Sequence, residues 1–193
     1  MVLLFPSSVL AEDPRSRLEK LEVGEVLRDE ATGLTAEFLQ KNVGAGKVDG
    51  WQRAESKACG FTVELFGPFN ELKQQTTATD GARITIVVVG NRTLEGAKFS
   101  ATCWRRSDNT FKAGFVREVF ARLSEANEVL ERRSVKRDGF EAERLSVKSA
   151  ASFATVEMFE MDHTFFQLQV EYPIREAAYM PAMVERFLAS FRR

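Results

Sequence analysis

The sequence predicts an α+β fold with a seven-strand, mainly antiparallel sheet and two amphipathic helices. In seven segments between Phe61 and Tyr172, apolar residues recur at every second position, as they do in strands. In residues 111–127 and 176–191 they recur at every third or fourth position, as they do in helices. One helix separates two strand-rich stretches and the other closes the chain, an order typical of α+β domains. We expect both helices to pack together on one face of the sheet.

Composition and charge narrow the classes of function. The chain has 193 residues, which suits one domain with an extension. Its net charge of −1 gives no electrostatic basis for binding nucleic acid or an anionic membrane, and no apolar run is long enough to span a bilayer. The chain has 16 Phe but 2 Tyr and 2 Trp. Because phenylalanine has no polar group, this bias favours a large, dry core.

The first fifty residues differ from the rest of the chain. Residues 1–11 are apolar and uncharged, and they end in Val9-Leu10-Ala11, which fits a signal-peptidase site but lacks the usual positive segment. This pattern predicts the remnant of a signal peptide and a periplasmic or secreted protein. The alternative is an apolar N-terminus that docks on a cytoplasmic domain. Residues 12–50 are charged, and their apolar spacing predicts one or two helices followed by a flexible linker.

The first strands are assigned from alternation. The segment beginning at Phe61 has one apolar face, which predicts a strand buried on one side. Residues 84–89 are apolar on both faces, which predicts a central strand covered on both sides. A third strand covers Phe99 to Cys103, and the Ser-Asp-Asn sequence at 107–109 supplies candidate N-cap residues for the first helix.

Two hairpins follow the first helix. Strands Val129–Arg137 and Phe140–Val147 meet at Asp138-Gly139, a typical type I′ turn, and this places Lys136 opposite Glu141. The second hairpin joins strands 153–161 and 165–172. A three-residue turn at 162–164 separates an apolar face from a mixed face most cleanly, so we predict that register.

The two cysteines permit one disulfide in an oxidising compartment. If the strands that carry Cys59 and Cys103 run parallel in one sheet, however, the two residues lie at opposite ends of it, beyond bridging distance. The sequence therefore favours Cys103 as a small, buried apolar residue.

Four motifs lie in order along residues 51–193: Trp51 to Pro68, Asp138-Gly139-Phe140 with Arg144, Phe165 to Val170, and Arg186 to Phe191. In this order they resemble the motifs of PsbP-like domains. The resemblance implies an α/β/α sandwich, a fold shared by the PsbP subunit of photosystem II, the Ran-GTPase release factor and many bacterial envelope proteins.

Three details depart from the family pattern. Gly67-Pro68 has the reverse of the usual order, Phe165 or Phe166 stands where a tyrosine is expected, and residues 12–50 have no clear counterpart. The motifs are structural and name no function.

Little in the sequence supports catalysis. His163 is the one histidine in the chain, and it is predicted at a hairpin tip, whereas catalytic groups usually occupy shielded concave sites. We therefore expect a turn residue and no enzyme, metal or cofactor. The glycine-rich stretch from Gly44 to Lys47 lacks the residue spacing of a phosphate-binding loop and is better explained as a linker.

The mixed face of the second hairpin is the strongest binding candidate. In the predicted register, phenylalanines lie there beside glutamate and glutamine, a pattern that suits a groove for a small apolar ligand or a partner segment. The alternative is that residues 12–41 fold back as a helix and cover the aromatic side chains. The candidate residues are Phe153, Glu157, Phe159, Phe165, Gln167 and Gln169, with Trp51 and Trp104 at the rim.

These observations lead to a non-catalytic envelope or secreted protein that binds an unknown partner protein or a small ligand. An accessory subunit that docks on a larger complex through strand edges or residues 12–50 is the second hypothesis. An enzyme is the third, for which the residues offer almost no support.

Overall fold

The structure is a computed structural model that describes residues 20–30, 32–46, 50–111, 114–137 and 140–193. The signal-peptide prediction for residues 1–11 and the turn at Asp138-Gly139 lie outside the described residues. The helices are α1 (Phe115–Glu125) and α2 (Met180–Ala189), and a 3-10 helix (Ile174–Glu176) precedes α2. The strands are β1 (Val26–Arg28), β2 (Thr35–Val43), β3 (Trp51–Ser56), β4 (Phe61–Phe66), β5 (Phe69–Thr77), β6 (Arg83–Arg92), β7 (Lys98–Arg106), β8 (Glu128–Arg137), β9 (Phe140–Lys148), β10 (Ser152–Met161) and β11 (Thr164–Pro173).

The main sheet is larger than the sequence predicts. Within the described residues it has nine strands in the order β1-β2-β5-β6-β7-β11-β10-β9-β8, and every adjacent pair is antiparallel. The α+β class is therefore correct, and β6 lies inside the sheet as predicted. The prediction that it is covered on both sides is right for one face only, on which Val87 and Val89 are buried. The other face, with Ile84, Ile86 and Val88, is partly exposed. Strand β4 belongs instead to a second, two-stranded sheet with β3, which packs on the main sheet.

The two helices lie on opposite faces of the main sheet, so the expectation that they pack together is wrong. Phe120 of α1 packs with Val156 and Met158 of β10. Phe187 of α2 packs in the larger core with Phe159, which alternates with those two residues along β10. Successive side chains of a strand point to opposite faces. We call the two sides the α1 face and the α2 face.

The predicted helices of residues 12–50 are wrong in the segments Val26–Arg28 and Thr35–Val43, which are strands β1 and β2. These strands form one edge of the main sheet, and β2 pairs with β5. Ala36 and Phe38 pack with Leu72 on one face, which is a spacing of two residues and not of three or four. The neighbouring Leu39 made the spacing look helical. Strand β5 was not predicted, because most of its side chains are polar.

A buried polar group of β5 joins the two sheets. The Glu71 carboxylate is 2% exposed and accepts hydrogen bonds from Ser56 Oγ (2.6 Å) and Gln40 Nε2 (2.7 Å). Gln40 also donates to the backbone oxygen of Glu55 (3.0 Å). These bonds attach the end of β3 to β2 and β5 and satisfy a carboxylate that would otherwise be costly to bury.

Cys59 and Cys103 form a disulfide, contrary to the prediction that they are too far apart. Cys103 of β7 points to the α2 face, and Cys59 lies in the loop before β4, which belongs to the small sheet covering that face. The Cα–Cα distance is 6.4 Å, within the usual range for a disulfide. The prediction failed because it placed both strands in one sheet.

The register of the second hairpin differs from the prediction by one residue. Met161 pairs with Thr164, so the turn contains two residues, Asp162 and His163, and both have positive φ (47° and 58°). This is the backbone of a type I′ turn, which matches the twist of the strands. The slip places Glu157, and not Val156, on the same face as Leu168. In the first hairpin, Lys136 pairs with Glu141 as predicted.

The predicted N-cap of the first helix is also wrong. Helix α1 begins at Phe115 after Gly114, which makes no side-chain capping bond. Asp108 instead accepts hydrogen bonds from Arg106 Nη2 (2.9 Å) and from the backbone N–H of Thr110 (3.1 Å). Arg106 also donates to Asp80 (2.7 Å). The Arg106 guanidinium holds the pKa of both carboxyl groups below the ordinary value, with backbone N–H groups as the second cause.

This arrangement predicts a pH dependence. A carboxyl group whose pKa is lowered by folding stabilises the fold above its ordinary pKa, and that contribution is lost as the pH falls. We expect Asp108→Asn to be less stable than the wild type at neutral pH. The difference should begin to shrink as the pH falls below about 4 and should close only as the pH passes the lowered pKa of the folded protein. Urea unfolding across this range measures it. The control Glu160→Gln changes an exposed carboxylate that has no recorded partner among the described residues, so it should leave the stability at neutral pH close to that of the wild type; a constant difference for Asp108→Asn would contradict the prediction.

Candidate functional site

The structure divides the eight predicted binding residues between the two faces of the main sheet. Strand alternation and ring contacts place Phe153, Glu157, Phe159 and Trp51 on the α2 face. The same criteria place Phe165, Gln167, Gln169 and Trp104 on the α1 face. A single groove lined by all eight is therefore excluded. The one-residue error in the hairpin register is the cause, because it mixes the two sets of side chains.

Glu157 is a buried ion-pair partner and not a ligand-orienting group. Its side chain is fully buried and lies between two arginines: Arg144 donates from Nε (3.0 Å) and Nη2 (2.9 Å), and Arg137 donates from Nη2 (3.2 Å) and Nε. Arg144 also donates to Glu185 of α2. Burial lowers the pKa of Arg144, but the bonds to Glu185 and Glu157 outweigh it and raise the pKa overall. The network ties β8, β9 and β10 to α2.

The other candidates on the α2 face belong to the core. Phe159 is 2% exposed and its ring packs on Phe140 (4.3 Å between centroids) and Phe166 (5.3 Å). Phe153 packs beside Tyr172, and Trp51 packs against Phe99. These aromatic side chains pack against the small sheet and α2. Residues 26–28 and 35–41, which were expected in a covering helix, lie in β1 and β2.

The α1 face keeps a partly exposed band across its middle. Ile84, Ile86 and Val88 of β6 are partly exposed there, whereas Val87 and Val89, which point to the α2 face, are 2% and 0% exposed. The band continues through Trp104 of β7 to Gln167 and Gln169 of β11, which are also partly exposed. We call these residues the open strip: Ile84, Ile86, Val88, Trp104, Gln167 and Gln169.

Two separate apolar clusters border the open strip. On one side, Phe120 of α1 packs over Leu145, Val147, Val156 and Met158. On the other side, Ala36, Phe38 and Leu72 form a small cluster with partly buried Leu21 and Leu27. Within the described residues no buried cluster joins them over β6, β7 and β11. The open strip is therefore the floor of a partly exposed surface that lies between two buried apolar clusters.

Aromatic rings close one end of the strip. The Trp104 ring packs on Phe115 (5.7 Å between centroids), and Phe165 packs on Phe115 (5.1 Å) and Phe111 (4.6 Å). Trp104 Nε1 is buried and has no hydrogen-bond partner among the described residues. Burying an indole N–H without an acceptor costs free energy.

The polar groups of the strip lie beside the apolar ones. Gln167 Nε2 donates to Gln169 Oε1 (2.8 Å). This leaves Gln167 Oε1 and the amide N–H groups of Gln169 without a recorded partner in the part of the chain that the structure describes. The strip can therefore offer both a donor and an acceptor to a molecule that lies on Ile86 and Val88.

The six residues of the open strip include no acidic, basic or nucleophilic side chain. His163 is exposed in the β10–β11 turn, where the sequence places it. In the described ranges, no group of three or more His, Cys, Asp or Glu side chains is arranged to hold a metal ion. Among those same residues, no helix combines the length and the apolar character needed to cross a bilayer.

One end of the main sheet collects exposed apolar side chains that sequence reasoning did not single out. The β6–β7 turn meets the segment after β11, since Arg175 Nη2 donates to Glu95 O (2.7 Å), and that segment meets the β9–β10 turn through Ile174 N and Ala151 O (3.2 Å). We call this surface the apolar end. Its residues are Leu94, which is 88% exposed, Ile174, Tyr179, Val129 and Leu130, five of the seven exposed large hydrophobic residues that the structure describes.

Comparison with known proteins supports the architecture. No protein-family model and no curated protein matches the chain. The solution structure of cyanobacterial PsbP (CyanoP) from Synechocystis sp. PCC 6803 is similar, with a TM-score of 0.50 and 13% sequence identity, over 75% of this chain and 93% of that one. At this identity the likeness concerns the fold, which confirms the resemblance noted in the motifs. The chain has a PsbP-like fold.

Proposed function

We propose that the protein is a non-catalytic binding module that holds a small apolar ligand on the open strip. The observation that carries the proposal is the floor of partly exposed Ile86 and Val88 beside the amide groups of Gln167 and Gln169. An apolar surface with a few polar groups beside it has the composition of a small-ligand site.

The size of the strip favours a small ligand over a protein partner. Strands β6, β7 and β11 span two interstrand spacings, about 10 Å, and Ile84 to Val88 span four residues, about 14 Å. The floor therefore covers about 140 Å², whereas a stable protein interface buries roughly 800 Å² on each partner. A flat apolar molecule with one polar end fits this area, with Gln169 as donor and Gln167 as acceptor.

A matched pair of valine variants tests the proposal. Val88→Glu puts a carboxylate on the strip, whereas Val26→Glu makes the same change at a valine of β1 that is 56% exposed. We expect the wild type to bind the neutral fluorophore N-phenyl-1-naphthylamine saturably. Val88→Glu should weaken binding at least tenfold, roughly 1.4 kcal/mol, because an apolar ligand desolvates the carboxylate, and Val26→Glu should have no effect. Equal binding by the three proteins would contradict the proposal.

Energy transfer from tryptophan locates the bound probe. Trp51→Phe leaves Trp104 as the one tryptophan, so energy transfer to the probe reports how close the probe lies to Trp104.

The apolar end favours a second function, an accessory subunit that docks on a larger complex. Contiguous exposed apolar side chains mark interaction surfaces more often than isolated ones do. Native mass spectrometry of protein purified from its source separates the two functions. A retained small molecule supports the open strip, and a retained protein subunit supports the apolar end.

We also propose that the protein works outside the cytoplasm. The Cys59–Cys103 disulfide supports this location, because structural disulfides persist in oxidising compartments and are rare in the cytosol. The apolar, uncharged residues 1–11 support it as well. Finding intact Met1 on protein isolated from the cytoplasm would overturn the export proposal.

A further inference from the structure

A cationic cleft lies on the outer surface of the small sheet, away from the open strip. It has a volume of about 450 Å³ and is bordered by the end of β3, the start of β4 and the last residues of the chain. Four cationic side chains, Arg53, Lys57, Arg192 and Arg193, line it with a single carboxylate, Glu55. The chain as a whole has 27 basic and 28 acidic residues, so this excess of positive charge is local.

The walls of the cleft are held in place by backbone bonds and by the disulfide. Thr62 of β4 exchanges two hydrogen bonds with Arg192: Thr62 N to Arg192 O (2.8 Å) and Arg192 N to Thr62 O (2.9 Å). The loop between β3 and β4 is held by the Cys59–Cys103 disulfide, and the backbone N–H of Cys59 donates to Ser56 Oγ (3.2 Å). Such a cleft needs little ordering before it binds a ligand.

The cations of the cleft differ in what they already bind. Arg193 pairs with Asp162 (2.8 Å), and Arg192 Nη1 donates to Ala189 O (2.7 Å). Arg53 and Lys57 have no recorded hydrogen bond or ion pair with any residue that the structure describes. Their charges are therefore available to a ligand, with those of Arg192 and Arg193 behind them.

A fifth cation lies behind the loop. Arg105 Nη1 donates to Ala58 O (2.8 Å), and Nη2 donates to Cys59 O (3.3 Å). These bonds hold the loop to β7. Guanidinium and ammonium groups bind carboxylate and phosphate oxygens through charge-assisted hydrogen bonds.

We propose that this cleft binds a small molecule through an oxyanion group, phosphate or carboxylate, contacted by Arg53 and Lys57. The volume lies within the range of small-ligand pockets, roughly 300–1,000 Å³. The site is independent of the open strip, which lies on the opposite face of the main sheet, so either can fail without the other.

The test is an amide NMR titration at constant ionic strength, with inorganic phosphate in one arm and succinate in the other. We expect saturable shifts at Gly60 and Thr62 in at least one arm. The double variant Arg53→Gln/Lys57→Gln should bind that anion roughly tenfold more weakly, or worse. Glu55→Gln removes the one carboxylate of the cleft and should tighten binding, an effect in the opposite direction that loss of folding cannot produce.

The control is Arg117→Gln/Lys136→Gln, which removes the same charge from two exposed residues outside the cleft. It should leave the affinity unchanged. Saturation by phosphate alone identifies a phosphate-bearing ligand, and saturation by succinate alone identifies a carboxylate. Absence of saturation in both arms, or equal weakening by the control, overturns the proposal.

Discussion

Replacing Glu157 with leucine is expected to destabilise the protein by about 3–5 kcal/mol. Glu157 is fully buried, and the Arg144 side chain that it binds is 4% exposed. Removal of the carboxylate leaves a buried guanidinium with one remaining acidic partner, Glu185, which is 60% exposed and so better screened by water. Urea unfolding of both proteins measures the loss, and the dependence of the free energy on urea concentration should stay unchanged.

The same network supplies the controls. Glu185→Gln removes the exposed partner of Arg144 and should cost less than about 1 kcal/mol, since exposed ion pairs contribute little. The double variant Arg144→Leu/Glu157→Leu removes both buried charges together. Its loss of unfolding free energy should be smaller than the sum of the losses of the two single variants, because the double variant retains neither buried charge without its partner. Additive losses, or a stable Glu157→Leu protein, would show that the ion pair does not hold β8, β9 and β10 to α2.

Removing the disulfide is the second change for which we expect a large effect. Cys59 and Cys103 are 44 residues apart in sequence. A cross-link over a loop of that length lowers the conformational entropy of the unfolded chain and so raises its free energy by about 4 kcal/mol at 25 °C. We expect Cys59→Ala/Cys103→Ala to lose most of this amount in urea unfolding. Since the disulfide also holds the loop of the cationic cleft, the variant should bind oxyanions more weakly as well.

Reduction provides the matching control. Dithiothreitol should lower the stability of the wild type towards that of the double alanine variant and should not affect the variant itself. Thiol titration of the unfolded, unreduced protein should find no free cysteine. Two reactive thiols, or a variant as stable as the wild type, would contradict the disulfide and remove one of the two supports for export.

The spacing of apolar residues predicted secondary structure correctly in segments where it fits only one period, that of a strand or that of a helix. Ile84 to Val89 are apolar on both faces and form a central strand, and Phe187 and Leu188 of the last helix are fully buried. The pattern was insufficient for residues 35–39, where Leu39 interrupts the alternation of Ala36 and Phe38. It also failed for β5, whose buried Glu71 looks like a loop residue until its partners from β2 and β3 are known.

The candidate site shows the same limit more sharply. The sequence identified a hairpin with mixed faces, and three of the eight candidates, Trp104, Gln167 and Gln169, lie on the open strip. Glu157, Phe159 and Phe165 are buried. Phe153 and Trp51 are partly buried against the core. For the hairpin residues, the difference between a three-residue and a two-residue turn decides which of them share a face of the sheet. A shift of one position in the strand pairing moves every side chain to the opposite face.

By itself, the sequence determined the α+β class, the order of the later strands and helices, and the resemblance to PsbP-like domains, since these depend on periodicities within short segments. Tertiary structure alone decided which face each helix covers, that a second sheet brings Cys59 to Cys103, and that Glu157 binds two arginines. Those contacts join residues distant in the chain, and their formation depends on how whole layers pack, which no local pattern records.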